Sequence, residues 1–118
     1  MSKIAQSSLE ELLPLPLPAF HMLLSLNDGE RHGYALKREI LQRTGGRINL
    51  GSGMLYGTIN RLIEQGLIEE SDERPDPHLD DQRRRYYRIR PLGRKVLGAE
   101  TERLRELVRA ADVALGKA

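Results

Sequence analysis

Apolar residues recur along the chain at two periods, and the changes between them mark out its elements. Near the start, "SSLEELL" is a short amphipathic candidate with Ser8 and Glu11 at capping-box spacing, and Pro14 and Pro16 end it. Pro18 falls where the first turn of a helix accepts proline, after which Phe20, Leu23, Leu24 and Leu26 follow until "NDGERHG" stops the pattern. From Tyr34 to Arg43, Leu36, Ile40 and Leu41 take one side and Lys37, Arg38 and Gln42 the other, with the glycines of "TGG" as C-cap. A third helix is predicted from Ser52, as N-cap, to Gln65, with Gly66 ending it and Leu55, Ile59, Leu62 and Ile63 inside.

The period then changes to two. "GLIEES" and "RRRYYRIRP" read as short strands, the second alternating Tyr86, Arg88 and Arg90 with Tyr87 and Ile89. The intervening "DERPDPHLDDQ" is polar, holds two prolines and reads as the long tip of a hairpin. From Pro91 at N1 to Leu115 the helical period returns. At about 100° per residue, Val96, Leu97, Leu104, Leu107, Val108, Ala111, Ala114 and Leu115 fall within a stripe of about 120°. That stripe is longer than a small core can cover. It predicts a homodimer built isologously through Leu97, Leu104, Leu107, Val108, Ala111 and Leu115, with Glu100 pairing with an arginine at the interface. The organisation expected is an N-terminal extension with a short helix over 1–17, a domain of three helices and a hairpin over 18–90 and a dimerisation helix over 91–118.

Two short helices before a third, followed by a hairpin, is the order of a winged helix-turn-helix, a mainly α fold with a small β-hairpin. In that fold the third helix enters the major groove and the hairpin lies along the flanking backbone. The third helix has a matching outer face: Gly53, Gly57, Asn60 and Arg61, with Tyr56 and Thr58 on the flanks. Two glycines inside a helix cost about 1 kcal/mol each against alanine, unless something must approach the backbone closely. Double-stranded DNA is such a partner. Asn60 and Arg61 suit adenine and guanine edges, while Ser52, Tyr56 and Thr58 offer hydroxyls to phosphates. The blander alternative makes Gly53 a loose helix start and Tyr56 a core edge.

Composition sharpens this reading mainly by exclusion. The formal net charge of +2 hides a partition: acids predominate from Glu69 to Asp81, whereas Arg83 to Lys95 contains seven basic residues and no acid. On a wing, Arg83, Arg84 and Arg85 would begin the returning strand and neutralise phosphates, and the acidic tip would project beyond the duplex. Hydrophobic residues make up 39% and aromatics 4%, so the core must be aliphatic, and the lack of cysteine removes thiolate metal sites and thiol nucleophiles. His21, His32 and His78 show no ligand spacing, so no metal or other cofactor is expected. Ser52 in "GSG" lacks a strand-to-helix elbow, and no Lys-Ser/Thr pair follows "GSGMLYG", so neither hydrolysis nor a phosphate loop has a foothold. No run is long enough to span a membrane and no signal peptide precedes the first helix, which points to the cytoplasm.

"GSGMLYGTINRLIEQGLIEES" joined to "RRRYYRIRPLGRKVL" resembles the PadR family of bacterial transcriptional regulators, over roughly Ala19 to Leu115. The resemblance is carried by Gly33, Tyr34, Gly53, Leu55, Tyr56, Arg61, Leu62, Gly66, Leu67, Ile68, Arg84, Arg85, Tyr86, Tyr87, Leu92 and Gly93. Met54 departs from the family's usual threonine, and Gly57 stands where many members have proline. The single helix after the wing resembles the short subfamily, which implies a homodimer that represses its target promoters. A small-molecule effector is compatible with the resemblance. Drug-binding relatives hold flat aromatics with tryptophan in a dimer pore, and this chain has no tryptophan. The alternatives are a winged-helix protein-interaction module whose basic wing meets an acidic partner, and, with no catalytic residues to support it, a small enzyme.

Overall fold

The computed structural model describes residues 9–71 and 85–117. After a helical turn at residues 9–11, the chain forms helix α1 (Leu17–Asn27), strand β1 (Arg31–His32), α2 (Gly33–Arg43), α3 (Ser52–Glu64), β2 (Ile68–Glu70), β3 (Tyr86–Ile89) and α4 (Pro91–Ala114). Ser8, and with it the proposed capping box, lies outside the described residues.

Proline opens two of these helices. Pro16 is the N-cap of α1 with Pro18 in its first turn, and Pro91 begins α4, positions where a missing N–H costs no helical bond. α2 starts at Gly33, one residue earlier than its apolar pattern suggests, because His32 caps it: Nδ1 accepts from the Ala35 N–H at 3.1 Å. Imidazole is outside the usual capping set, so the sequence alone does not signal this cap. The start of α3 needs the opposite correction. Its cap residue is Gly51, Ser52 is already helical, and no side chain caps it.

The sheet has a third strand, β1, at residues whose sequence pattern predicts only a helix stop. β3 pairs antiparallel with β2 through Ile68–Ile89, Glu69–Arg88 and Glu70–Tyr87, and on its other edge with β1 through Arg31–Tyr87 and His32–Tyr86. The order is β1-β3-β2. A strand of two residues leaves no alternation to detect. The His32 and Tyr86 rings meet edge to face across this pair, 5.4 Å apart.

The core is aliphatic. Met22, Leu23 and Leu26 of α1, Leu36 and Ile40 of α2, and Ile59 and Leu62 of α3 are fully buried, together with Leu67, Ile68 and Val96. Gly93 lets α4 close on the sheet: a Cβ there would lie 2.2 Å from the Leu67 carbonyl oxygen, which accepts from the Arg90 N–H at 2.9 Å. Ile63, expected inside, sits at the rim and is 36% exposed.

α4 divides into two parts. Val96, Leu97 and Glu100 are buried in the protomer's own core, so Leu97 is not available to an interface as expected. Glu100 is bound within the protomer too, accepting from the Leu15 N–H at 2.9 Å and from Arg103, its neighbour on the same helix, at 2.5 and 3.0 Å. The arginine it was expected to find across an interface is one turn away. Beyond this point Leu107, Val108, Val113 and Leu115 are exposed. Among the described residues, no helix is long and apolar enough to cross a membrane.

Candidate nucleic-acid interface

α3 buries Leu55, Thr58, Ile59 and Leu62 and turns Ser52, Gly53, Gly57, Asn60, Arg61 and Glu64 to the surface. A Cβ at Gly53 or Gly57 would meet no atom within 4 Å. The protomer's packing therefore does not require either glycine, and both helix-weakening residues lie on the face that carries Asn60 and Arg61. That face is smooth enough for a close approach to the helix backbone. The first turn of α3, with no side-chain cap, also leaves its backbone N–H groups to an external acceptor.

Two flanking candidates change place. Thr58 is 7% exposed, and its hydroxyl donates to Met54 Sδ at 3.8 Å, so it is not placed to meet a phosphate. Its spacing from Leu55 and Leu62 brings it into the inner stripe. Tyr56 is half-buried over α2, and a Cβ on Gly33 would lie 3.1 Å from its Cε1 and 3.2 Å from its Oη. The ring thus locks the start of α2 to α3, as the core-edge alternative supposed, while its hydroxyl lies at the seam between the helices.

Beside that seam lies an exposed aromatic–cation pair that the sequence pattern does not single out. Tyr34, next to Gly33, is 52% exposed, and the Arg38 guanidinium lies 5.4 Å from its ring centroid. The one-turn spacing of an exposed aromatic and an arginine was the available signal.

On the wing, Arg83 and Arg84 lie outside the described residues. The arginines that follow face acids across the strands: Arg88 Nε donates to Glu69 Oε2 at 2.7 Å, Arg90 Nε lies 3.7 Å from Glu69 Oε1, and Arg85 Nε lies 3.6 Å from Glu70 Oε1. The Glu69–Arg88 register places one pair directly opposite. The hydrogen bond from Arg88 holds the Glu69 carboxyl below the usual range against the opposing effect of desolvation. Charge inversion along the sequence thus becomes charge pairing across the wing root. Tyr87 between them is buried, and loss of solvent raises its hydroxyl above the ordinary tyrosine value. Among the described residues, no three His, Cys, Asp or Glu side chains converge to hold a metal ion.

Residues 22–99 match the transcriptional regulator PadR-like family. The transcriptional regulator Rv3488 of Mycobacterium tuberculosis is 39% identical over 89 residues, covering 75% of this chain and 77% of that protein. An uncharacterized 37.1 kDa protein in transposon TN4556 of Streptomyces fradiae is 35% identical over 86 residues, which are 73% of this chain but 22% of that longer protein. The fold is similar to the crystal structure of a PadR family transcription regulator from Clostridium difficile R20291, with a TM-score of 0.71 at 18% identity over 85% of this chain and 99% of the other.

Proposed function

The chain belongs to the PadR-like family of transcriptional regulators, and on that premise we propose that it is a sequence-specific repressor that binds a pseudo-palindromic operator as a homodimer. It is a regulator rather than an enzyme. One observation carries the reading: α3 keeps two glycines that the protomer does not need, beside Asn60 and Arg61, on its open face. In this reading α3 lies in the major groove, Asn60 and Arg61 read base edges, and Ser52 and the Tyr56 hydroxyl approach phosphates. Arg83, Arg84 and Arg85 follow the flanking backbone. Leu104, Leu107, Val108, Ala111 and Leu115 form the two-fold contact. The reading places the protein in the cytoplasm with its promoters.

Selecting DNA fragments from a genomic pool with purified protein tests this. The selected site should bind at least about 10³-fold more tightly than random DNA at one fixed salt concentration. Asn60→Ala or Arg61→Ala should cost about 1 to 3 kcal/mol on that site and little on random DNA. Equal affinity for all DNA would favour a protein-interaction module with an acidic partner.

A further inference from the structure

A cavity of about 250 Å³ lies where the segment before α1 meets α3. Its walls are apolar: Leu12, Leu15, Pro16 and Ala19 on one side, Met54 and Leu62 on the other. No aromatic ring lines it, and polar groups enter through Thr58, Arg61 and Gln65 of α3. Arg61 is the one charged residue in the lining, is exposed, and makes no ion pair among the described residues. An aliphatic pocket with Arg61 as the one charged residue of its lining complements one chemical class, a small aliphatic carboxylate: the chain would fill the apolar walls and the carboxylate would meet Arg61 in a charge-assisted, bidentate pair.

We propose that this cavity is an effector site for short- to medium-chain aliphatic carboxylates, and that its occupant competes with DNA for Arg61. The regulatory half of this inference rests on α3 being the DNA-reading helix; the binding half does not. The site is held by the protomer itself. Leu15 in its wall is fastened through its N–H to Glu100, and the Thr58 hydroxyl ties back to Met54 at its edge. A ligand that draws Arg61 towards Gln65 removes a groove contact without unfolding anything, and linkage requires operator DNA to weaken the ligand by the same factor.

The experiment is calorimetric titration of the full chain, without DNA, with octanoate and 1-octanol. Octanoate should bind with a negative heat-capacity change, and octanol at least about tenfold more weakly, for want of the charged pair. Arg61→Gln should bring octanoate down to the level of octanol. Met54→Trp, at a position 58% exposed and therefore tolerant of size, should fill the mouth and abolish both. Absence of octanoate binding at millimolar concentration, equal binding of acid and alcohol, or binding indifferent to Met54→Trp overturns the site. Binding that varies with protein concentration and is lost together with a change in oligomeric state also overturns it, in favour of a second copy as occupant. If octanoate binds as expected but leaves affinity for selected DNA unchanged, the competition fails while the DNA-binding reading stands.

Discussion

Glu100 holds a carboxylate where solvent barely reaches, 2% exposed, and the Leu15 backbone N–H and two guanidinium N–H groups of Arg103 satisfy it there. The hydrogen bonds from Arg103, then that from Leu15, hold its pKa below the ordinary carboxylate value, and desolvation opposes them. A depressed folded-state pKa contributes stability that is fully present above the unfolded value. It is lost as pH falls through the lower folded value, so the window lies below the ordinary glutamate range. Glu100→Gln should therefore cost about 1 to 3 kcal/mol at neutral pH. Its deficit against the wild type should narrow in urea titrations repeated at progressively lower pH; a deficit constant with pH would sink the assignment. Glycines test packing at the same scale. Gly93→Ala forces a Cβ onto the Leu67 carbonyl and should destabilise by about 1 to 3 kcal/mol or more. Gly57→Ala meets nothing and should stabilise the folded chain by about 0.5 to 1 kcal/mol while weakening binding to selected DNA. Thermal melts beside binding isotherms would show that opposition; a variant improved in both would remove Gly57 from the interface.

The wing and α4 show which features of an element a periodic pattern carries. Alternation located β3, whose burial alternates, and apolar spacing located every helix of the core, because each has one buried face. Periodicity names the face but not its neighbour. Leu97 and Leu107 lie on one stripe of α4, yet Leu97 packs into the protomer and Leu107 is 54% exposed. Thr58 was placed on the flank for the same reason: a hydroxyl near the edge of a stripe can fall to either side, and tertiary packing drew it in. β1 was too short to have a period, and the His32 cap depends on a side chain whose ring orientation only the fold supplies. The outer face of α3, by contrast, was legible in its glycines. The wing acids add an expectation that the strand pattern alone did not supply. Glu69 faces both Arg88 and Arg90, so Glu69→Gln removes a negative charge that offsets two guanidinium groups beside any nearby phosphate. Affinity for all DNA should rise, and each additional phosphate neutralised should steepen the slope of log affinity against log salt by about 0.9. Filter binding from low to moderate salt measures it, and an unchanged slope would place these arginines away from the duplex.

At the scale of the molecule, the described chain extends 57 × 40 × 23 Å, and residues 105–111 of α4 are exposed although they continue an apolar stripe. A solvated helix end bearing Leu107, Val108 and Leu115 gains little from its own protomer, and a second copy offers the same stripe in return. Two-fold pairing there would give the assembly two α3 helices, to be set on half-sites about 34 to 36 Å apart or a multiple of that spacing. Binding of the second half-site then becomes intramolecular, worth about 10²- to 10⁴-fold in affinity without any new contact. Val108 is 60% exposed, so Val108→Asp should leave the protomer folded while burying a carboxylate in the paired interface. Light scattering at micromolar concentration should report a monomer with helical circular dichroism retained. Its affinity for a full selected operator should fall by that factor, while its affinity for DNA carrying one half-site stays at the wild-type value. A variant that remains dimeric and binds the full site normally would move the two-fold contact off α4. Loss of half-site binding by a folded monomer would mean that α4 pairing positions α3 itself, and recognition and dimerisation would not be separable.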